Sequence, residues 1–104
     1  MASSKGYLEF VLEQLSGTEG ITYKPMMGEY LIYCRGKIIG GVYDDRFLVK
    51  PTKSAEAMMP RANREIPYDG GKEMLLVDNL DSRDFLKSLV EAMYGELPAP
   101  KKKN

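Results

Sequence analysis

The stretch that decides the fold is YLIYCRGKIIGGVYDDRFLVK, residues 30–50. Its runs of β-branched and aromatic residues are interrupted at Arg35-Gly36 and at Asp44-Asp45. Two-residue interruptions of this kind are typical of tight β-hairpins, because the residues involved tolerate the backbone of the turn. We therefore predict three antiparallel strands, at about Tyr30–Cys34, Lys37–Tyr43 and Arg46–Lys50.

The residues before this stretch predict one more strand and a helix. A strand at about Tyr23–Met27 would join the next one through a turn at Gly28-Glu29. Pro25 cannot donate to a ladder, so this strand is expected at an edge of the sheet. Apolar residues at three- and four-residue spacing predict an amphipathic helix at about Ser4–Ser16, capped by Ser3 or Ser4.

The residues after it predict a short helix, a short strand and a long helix. The short helix falls within residues 53–64, with Thr52 or Ser54 as its cap, and EMLLV (residues 73–77) is a plausible fifth strand. The last helix is expected to begin at Asp81, with Asp84 completing a capping box, and to stop at Gly95.

Together these elements predict one α+β domain over residues 1–97. We expect an antiparallel β-meander of four to five strands, packed on one face by the N- and C-terminal helices. Pro98, Pro100 and the lysines that follow predict a disordered basic tail at residues 98–104.

The hairpins assign side chains to two faces, because directly opposed residues share a face and side chains alternate along a strand. The expected core face carries no charge and collects Leu31, Tyr33, Ile38, Gly40, Val42, Phe47 and Val49. Gly40 would let a helix approach closely. The opposite face is amphipathic, and its apolar centre within a charged rim is typical of a protein–protein interface. Its candidate partner-surface residues are Tyr30, Ile32, Lys37, Ile39, Tyr43, Arg46, Leu48 and Lys50. An alternative is that the middle helix or residues 65–72 cover it.

Catalytic chemistry finds little support in the composition. The chain has no histidine, a single cysteine, and fifteen basic residues balanced by fifteen acidic ones. Histidine-based acid–base catalysis and thiolate zinc sites are therefore excluded, and we predict no catalytic residue, no cofactor and no metal. The single cysteine and the lack of a signal-peptide pattern favour a cytoplasmic protein.

Residues 26–53, MMGEYLIYCRGKIIGGVYDDRFLVKPTK, resemble the central motif of the TfoX N-terminal domain family, the competence-regulator or Sxy-like proteins. The matching parts are Met26–Gly28, Gly36-Lys37 and Asp44-Asp45, with apolar strands between them. Met27 stands where the family's opening has Phe. The resemblance implies an α+β domain without an assigned catalytic site. In full-length competence regulators this domain precedes a helical domain and assists transcription of DNA-uptake genes.

The resemblance favours a non-enzymatic, regulatory module in transcription or a stress response, acting through a protein partner or as a homodimer. The first alternative is a small-molecule-binding domain or an enzyme with a pocket near residues 65–72. The second is a weak nucleic-acid binder using residues 21–64, which hold eight Lys/Arg against four Asp/Glu.

Overall fold

The computed structural model describes residues 3–98 and contains three helices and a six-stranded antiparallel sheet. The α+β prediction is therefore confirmed. The expected tail beyond Pro98 lies outside the described residues. The elements in chain order are α1 (Lys5–Gln14), β1 (Ile21–Met26), β2 (Glu29–Cys34), β3 (Lys37–Val42), β4 (Phe47–Val49), α2 (Lys53–Met58), β5 (Arg64–Glu65), β6 (Met74–Leu76) and α3 (Arg83–Tyr94).

The sheet follows the order β1-β2-β3-β4-β6-β5, so the first four strands form the expected meander. β1 lies at one edge, as Pro25 predicted. β6 corresponds to the expected fifth strand, and the two-residue β5 at the other edge was not predicted, since so short a segment has no periodicity to detect.

Three tight turns connect the meander. Each has a positive φ at both central residues, which is the geometry that matches the twist of a hairpin: 52° and 88° at Met27-Gly28, 48° and 88° at Arg35-Gly36, and 52° and 55° at Asp44-Asp45. The last two turns are where the sequence placed them. The first was predicted one residue too late, because Met26 pairs with Glu29.

The decisive departure from the expected register is a β-bulge in β3. Tyr33 pairs with Ile38 as predicted, but Ile32 pairs with Gly40, so Ile39 has no opposite residue. A bulge puts two successive side chains on the same side of the sheet and reverses the alternation beyond it. Without the bulge, Ile38 was assigned to the same face as Gly40 and Val42, whereas the structure places it on the opposite side.

We call the side of the sheet covered by α1 and α3 the helix face. Its buried strand residues are Ile32, Cys34, Ile39, Val42, Phe47, Val49 and Leu75. They pack with the helix residues Leu8, Val11, Leu15, Leu86, Leu89, Val90 and Met93. The expected core residues Val42, Phe47 and Val49 are thus confirmed. Leu31, Tyr33 and Ile38 were wrongly assigned, because their pairing places them on the other side.

Gly40 lies against the backbone of β4. A Cβ at this position would overlap the Leu48 carbonyl oxygen and lie 2.7 Å from the Val49 Cα. Glycine therefore permits close approach of the β4 backbone, and the expectation that it admits a helix stays a prediction.

The helix caps are side-chain hydroxyls. The side chains of Ser4, Thr52 and Ser82 accept hydrogen bonds from Tyr7, Ala55 and Phe85 backbone N–H groups, each at 3.1 Å. Ser82, not Asp81, caps α3, so the predicted capping box with Asp84 is one position out of register.

Candidate functional site

The eight candidate partner-surface residues do not form one open patch. Ile32 and Ile39 are fully buried on the helix face, beneath α1 and α3. Lys37 lies on the same side, where its Nζ donates to the Tyr94 carbonyl oxygen at 2.9 Å and lies 4.1 Å from the Tyr94 ring centroid. The expected continuous face is therefore wrong, and its physical reason is the bulge at Ile39.

The remaining members divide between the two sides of the sheet. Tyr30 packs against the helix-face core. Tyr43 and Leu48 are buried on the opposite side, and Lys50 borders a groove there. The Arg46 Nη1 is 2.5 Å from Glu65 Oε1, and its Nε donates to the Tyr43 carbonyl oxygen at 3.1 Å.

We call the side of the sheet away from α1 and α3 the far face. Its centre is a second, smaller apolar cluster of Tyr43, Leu48 and Met74, with Met26, Leu31 and Leu76 partly buried beside it. Gly41 makes room for the Tyr43 ring, since a Cβ there would come within 2.8 Å of it.

The loop between β5 and β6, residues 66–73, covers part of the far face, as one of the sequence alternatives anticipated. The Tyr68 ring meets the Tyr43 ring edge-on, with the centroids 6.0 Å apart. Burial raises the pKa of Tyr43 to about 12, and the nearby Tyr68 hydroxyl adds to the effect. Tyr68 nevertheless stays 54% exposed and Ile66 52% exposed. The loop therefore seals the Tyr43 end of the face while presenting apolar side chains to solvent.

Between this loop and the sheet lies an open groove of about 680 Å³, which we call the far-face groove. Leu31, Ile38 and Met74 supply its apolar sheet residues, and Tyr68 belongs to its loop side. The charged residues that line it are Lys50, Lys72 and Glu73. This groove lies where the sequence alternative expected a pocket, although the loop borders the pocket without enclosing it.

A third lysine adds to the positive charge beside the groove. The Lys24 Nζ lies 5.8 Å from the ring centroid of Tyr33, which pairs with the groove residue Ile38. The lining itself thus carries two lysines and one glutamate around an apolar floor, with Lys24 one strand away and Glu29 near the Tyr43 end. An apolar surface with a basic border favours ligands that combine apolar groups with negative charge.

The arrangement offers little for catalysis. Cys34 is buried and its Sγ donates to the Glu19 carbonyl oxygen at 3.4 Å, so it behaves as a packed core residue. Within residues 3–98, no group of three His, Cys, Asp or Glu side chains is placed to hold a metal. In the same range, no helix is long and apolar enough to cross a membrane.

The basic residues of segment 21–64 are dispersed. Lys37 contacts α3, Arg46 pairs with Glu65, and the Arg64 Nη2 lies 2.7 Å from Glu56 Oε1. Lys24 and Lys50 remain on the far face. This distribution gives nucleic-acid binding less support than the count of basic residues did, because two of the cations are already paired.

Sequence reasoning missed most of the groove. Leu31, Ile38 and Tyr33 were assigned to the core and Met74 to a short strand, and Tyr68 and Lys72 entered only through the alternatives at residues 65–72. The available signal was the pair of apolar side chains at Ile66 and Tyr68 within an otherwise polar loop, which indicates a segment that packs on something.

Comparison with known proteins agrees with the motif in residues 26–53. Residues 13–94 match the TfoX N-terminal domain. A protein of Spirochaeta aurantia, described as an uncharacterized 12.7 kDa protein in the trpE 5′ region, is 29% identical over 102 residues, covering 97% of this chain and 89% of that protein. No solved structure matches the chain.

Proposed function

Because the chain belongs to the TfoX N-terminal domain family, we propose that it acts as a non-enzymatic TfoX-like interaction module that binds an acidic, apolar-containing segment of a partner protein. The binding surface in this proposal is the far-face groove. The role is regulatory, in transcription or a stress response, and it places the chain in the cytoplasm. Its effect would follow from which partner it holds.

The observation that carries the proposal is the combination of apolar floor and basic border in the groove. Leu31 and Ile38 are only partly buried, so each keeps apolar surface in contact with solvent at the groove. Burying such residues against a partner contributes about 25 cal/mol per Å² of apolar surface removed from water. Lys50 and Lys72 then select for a negatively charged partner and accelerate its approach.

The first test uses a fluorescently labelled peptide of alternating glutamate and leucine, with a peptide of alternating lysine and leucine as the control. Fluorescence anisotropy should show binding of the acidic peptide and no binding of the basic control peptide. Its affinity should fall when salt is raised from 50 to 500 mM, because exposed charges are screened over shorter distances. Equal binding of both peptides would contradict the proposed charge selection.

The site is tested by charge reversal. Lys50→Glu combined with Lys72→Glu should weaken the acidic peptide at least tenfold, while Lys87→Glu should change its affinity by less than about twofold. Lys87 is an exposed residue of α3, which packs on the helix face, so it serves as a matched control. Equal effects of the two variants would refute the groove as the site.

A second candidate is a small anionic molecule in the same groove, supported by the groove's volume. About 680 Å³ falls within the range of roughly 300–1,000 Å³ that is common for small-molecule sites. Thermal unfolding with millimolar inorganic phosphate and with short dicarboxylic acids distinguishes the two. A stabilisation that Lys50→Glu abolishes would favour this candidate, and no shift with any of them would leave the peptide proposal in place.

A further inference from the structure

The outer edge of β1 exposes backbone groups in a pattern that the turn determines. A two-residue hairpin turn makes its flanking pair, Met26 and Glu29, a hydrogen-bonded pair, and such pairs then recur at every second residue. The Arg35 N–H donates to the Gly20 carbonyl oxygen at 2.8 Å, which fits this series. The N–H and C=O groups of the intervening residues Ile21 and Tyr23 therefore point away from the sheet.

Pro25 limits how far this edge can pair. It occupies the next outward-facing position after Tyr23, so the missing N–H is one that would otherwise point outward. Proteins commonly use proline in this way to restrict pairing along an edge strand. Ile21 and Tyr23 remain as a short segment with two donors and two acceptors directed outward.

Beside this segment, on the helix face, lies a groove of about 540 Å³ that we call the edge groove. It is lined by Leu12 and Leu15 near the end of α1 and by Thr18, Ile21 and Tyr23. Among residues 3–98, the buried Thr18 hydroxyl has no hydrogen-bond partner. Tyr23 is 42% exposed although its side chain lies on the helix face. A buried hydroxyl without a partner is rare in a folded protein and calls for an explanation.

We propose that this edge pairs with β1 of a second copy of the chain, antiparallel and centred on Thr22. Ile21 of each copy then opposes Tyr23 of the other, which forms four backbone hydrogen bonds and keeps Pro25 outside the paired segment. Because opposed residues share a face, each Tyr23 side chain lies over the other copy's Ile21, at the edge groove. There it brings a phenolic hydroxyl to the side of the molecule that holds Thr18.

Charge complementarity favours a second copy over an unrelated strand. In this register Lys24 of one copy opposes Gly20 of the other, whose neighbour is Glu19. The two-fold axis produces this Lys24–Glu19 juxtaposition twice, as an isologous interface requires. Both side chains are exposed in the single chain.

This inference goes beyond the proposed function, and the two can fail independently. Pairing through β1 continues the sheet across both copies and leaves both far faces uncovered. The dimer then carries two far-face grooves, so a partner with two acidic segments would gain avidity.

The test is analytical ultracentrifugation of the full chain across a wide concentration range. The wild-type chain should show a monomer–dimer equilibrium, and Tyr23→Glu should weaken it at least tenfold with an unchanged circular dichroism spectrum. A chain that stays monomeric up to about 1 mM overturns the proposal, because specific interfaces of this kind form well below that concentration.

A charge swap tests the register without altering a residue that lines the edge groove. Lys24→Glu and Glu19→Lys should each weaken the dimer about threefold or more, because each places like charges together, and the double variant should return to within about threefold of wild type. A dimer that is insensitive to Tyr23→Glu, or that the double variant weakens further, would show that another surface pairs.

Discussion

Two neighbouring isoleucines should differ sharply in their contribution to stability, because they lie on opposite faces and the bulge places Ile39, not Ile38, on the side of Val42. Ile39 is fully buried on the helix face, whereas Ile38 is partly exposed at the far-face groove. Ile39→Ala removes three buried carbons, and at about 0.8 kcal/mol each the lost burial is roughly 2.4 kcal/mol. The cavity that remains raises the expected loss to about 3–4 kcal/mol.

Ile38→Ala removes the same atoms from a site that water already reaches, and we expect a loss of about 1 kcal/mol. Urea unfolding followed by circular dichroism measures both. With a slope of about 2 kcal/mol/M for a chain of this size, the midpoints should fall by about 1.5–2 M and about 0.5 M. Equal midpoints, or a larger loss at Ile38, would refute the bulge and the face assignment that rests on it.

Three other predictions follow from single contacts. Gly40→Ala should destabilise the protein strongly in thermal melts, because the added Cβ would overlap the β4 backbone. Gly95 has open space around it, so the stability of Gly95→Ala should stay within about 0.5 kcal/mol of wild type. Ser82→Ala should cost about 1 kcal/mol by removing the α3 cap, and Asp81→Ala clearly less; the reverse order would restore Asp81 as the cap. One of the seven tyrosines should titrate near pH 12 by ultraviolet absorbance, and Tyr43→Phe should remove that step. The folded-state pKa of Tyr43 is raised above 10.0, so the stabilising effect of Tyr43 is complete below about pH 10 and is lost as the pH rises through about 12. Tyr43→Phe should therefore reduce the loss of stability between these two pH values.

The turns and the long helices were predictable because their signals are local. Arg35-Gly36 and Asp44-Asp45 identify their turns by residue type alone, and the apolar spacing of α1 and α3 needs no knowledge of the sheet. The precise cap was less accessible, since Asp81 and Ser82 are adjacent and both can cap a helix. The geometry of the first turn decides between them.

The faces of the sheet were not predictable in the same way. The bulge at Ile39 is a feature of the pairing between β2 and β3, and a pairing between strands leaves no periodic trace in either one. A single displaced residue then exchanges the two faces. The far-face groove depends in addition on the contact of Tyr68 with Tyr43, which lies 25 residues earlier in the chain.

In our proposal the far face, and not the helix face, binds the partner. Amide chemical-shift mapping of the ¹⁵N-labelled chain during titration with the glutamate–leucine peptide tests this directly. We expect shifts concentrated at Leu31, Ile38, Lys50 and the loop around Tyr68, with α3 unaffected. Shifts centred on α1 and α3, or along β1 with none at the groove, would contradict it.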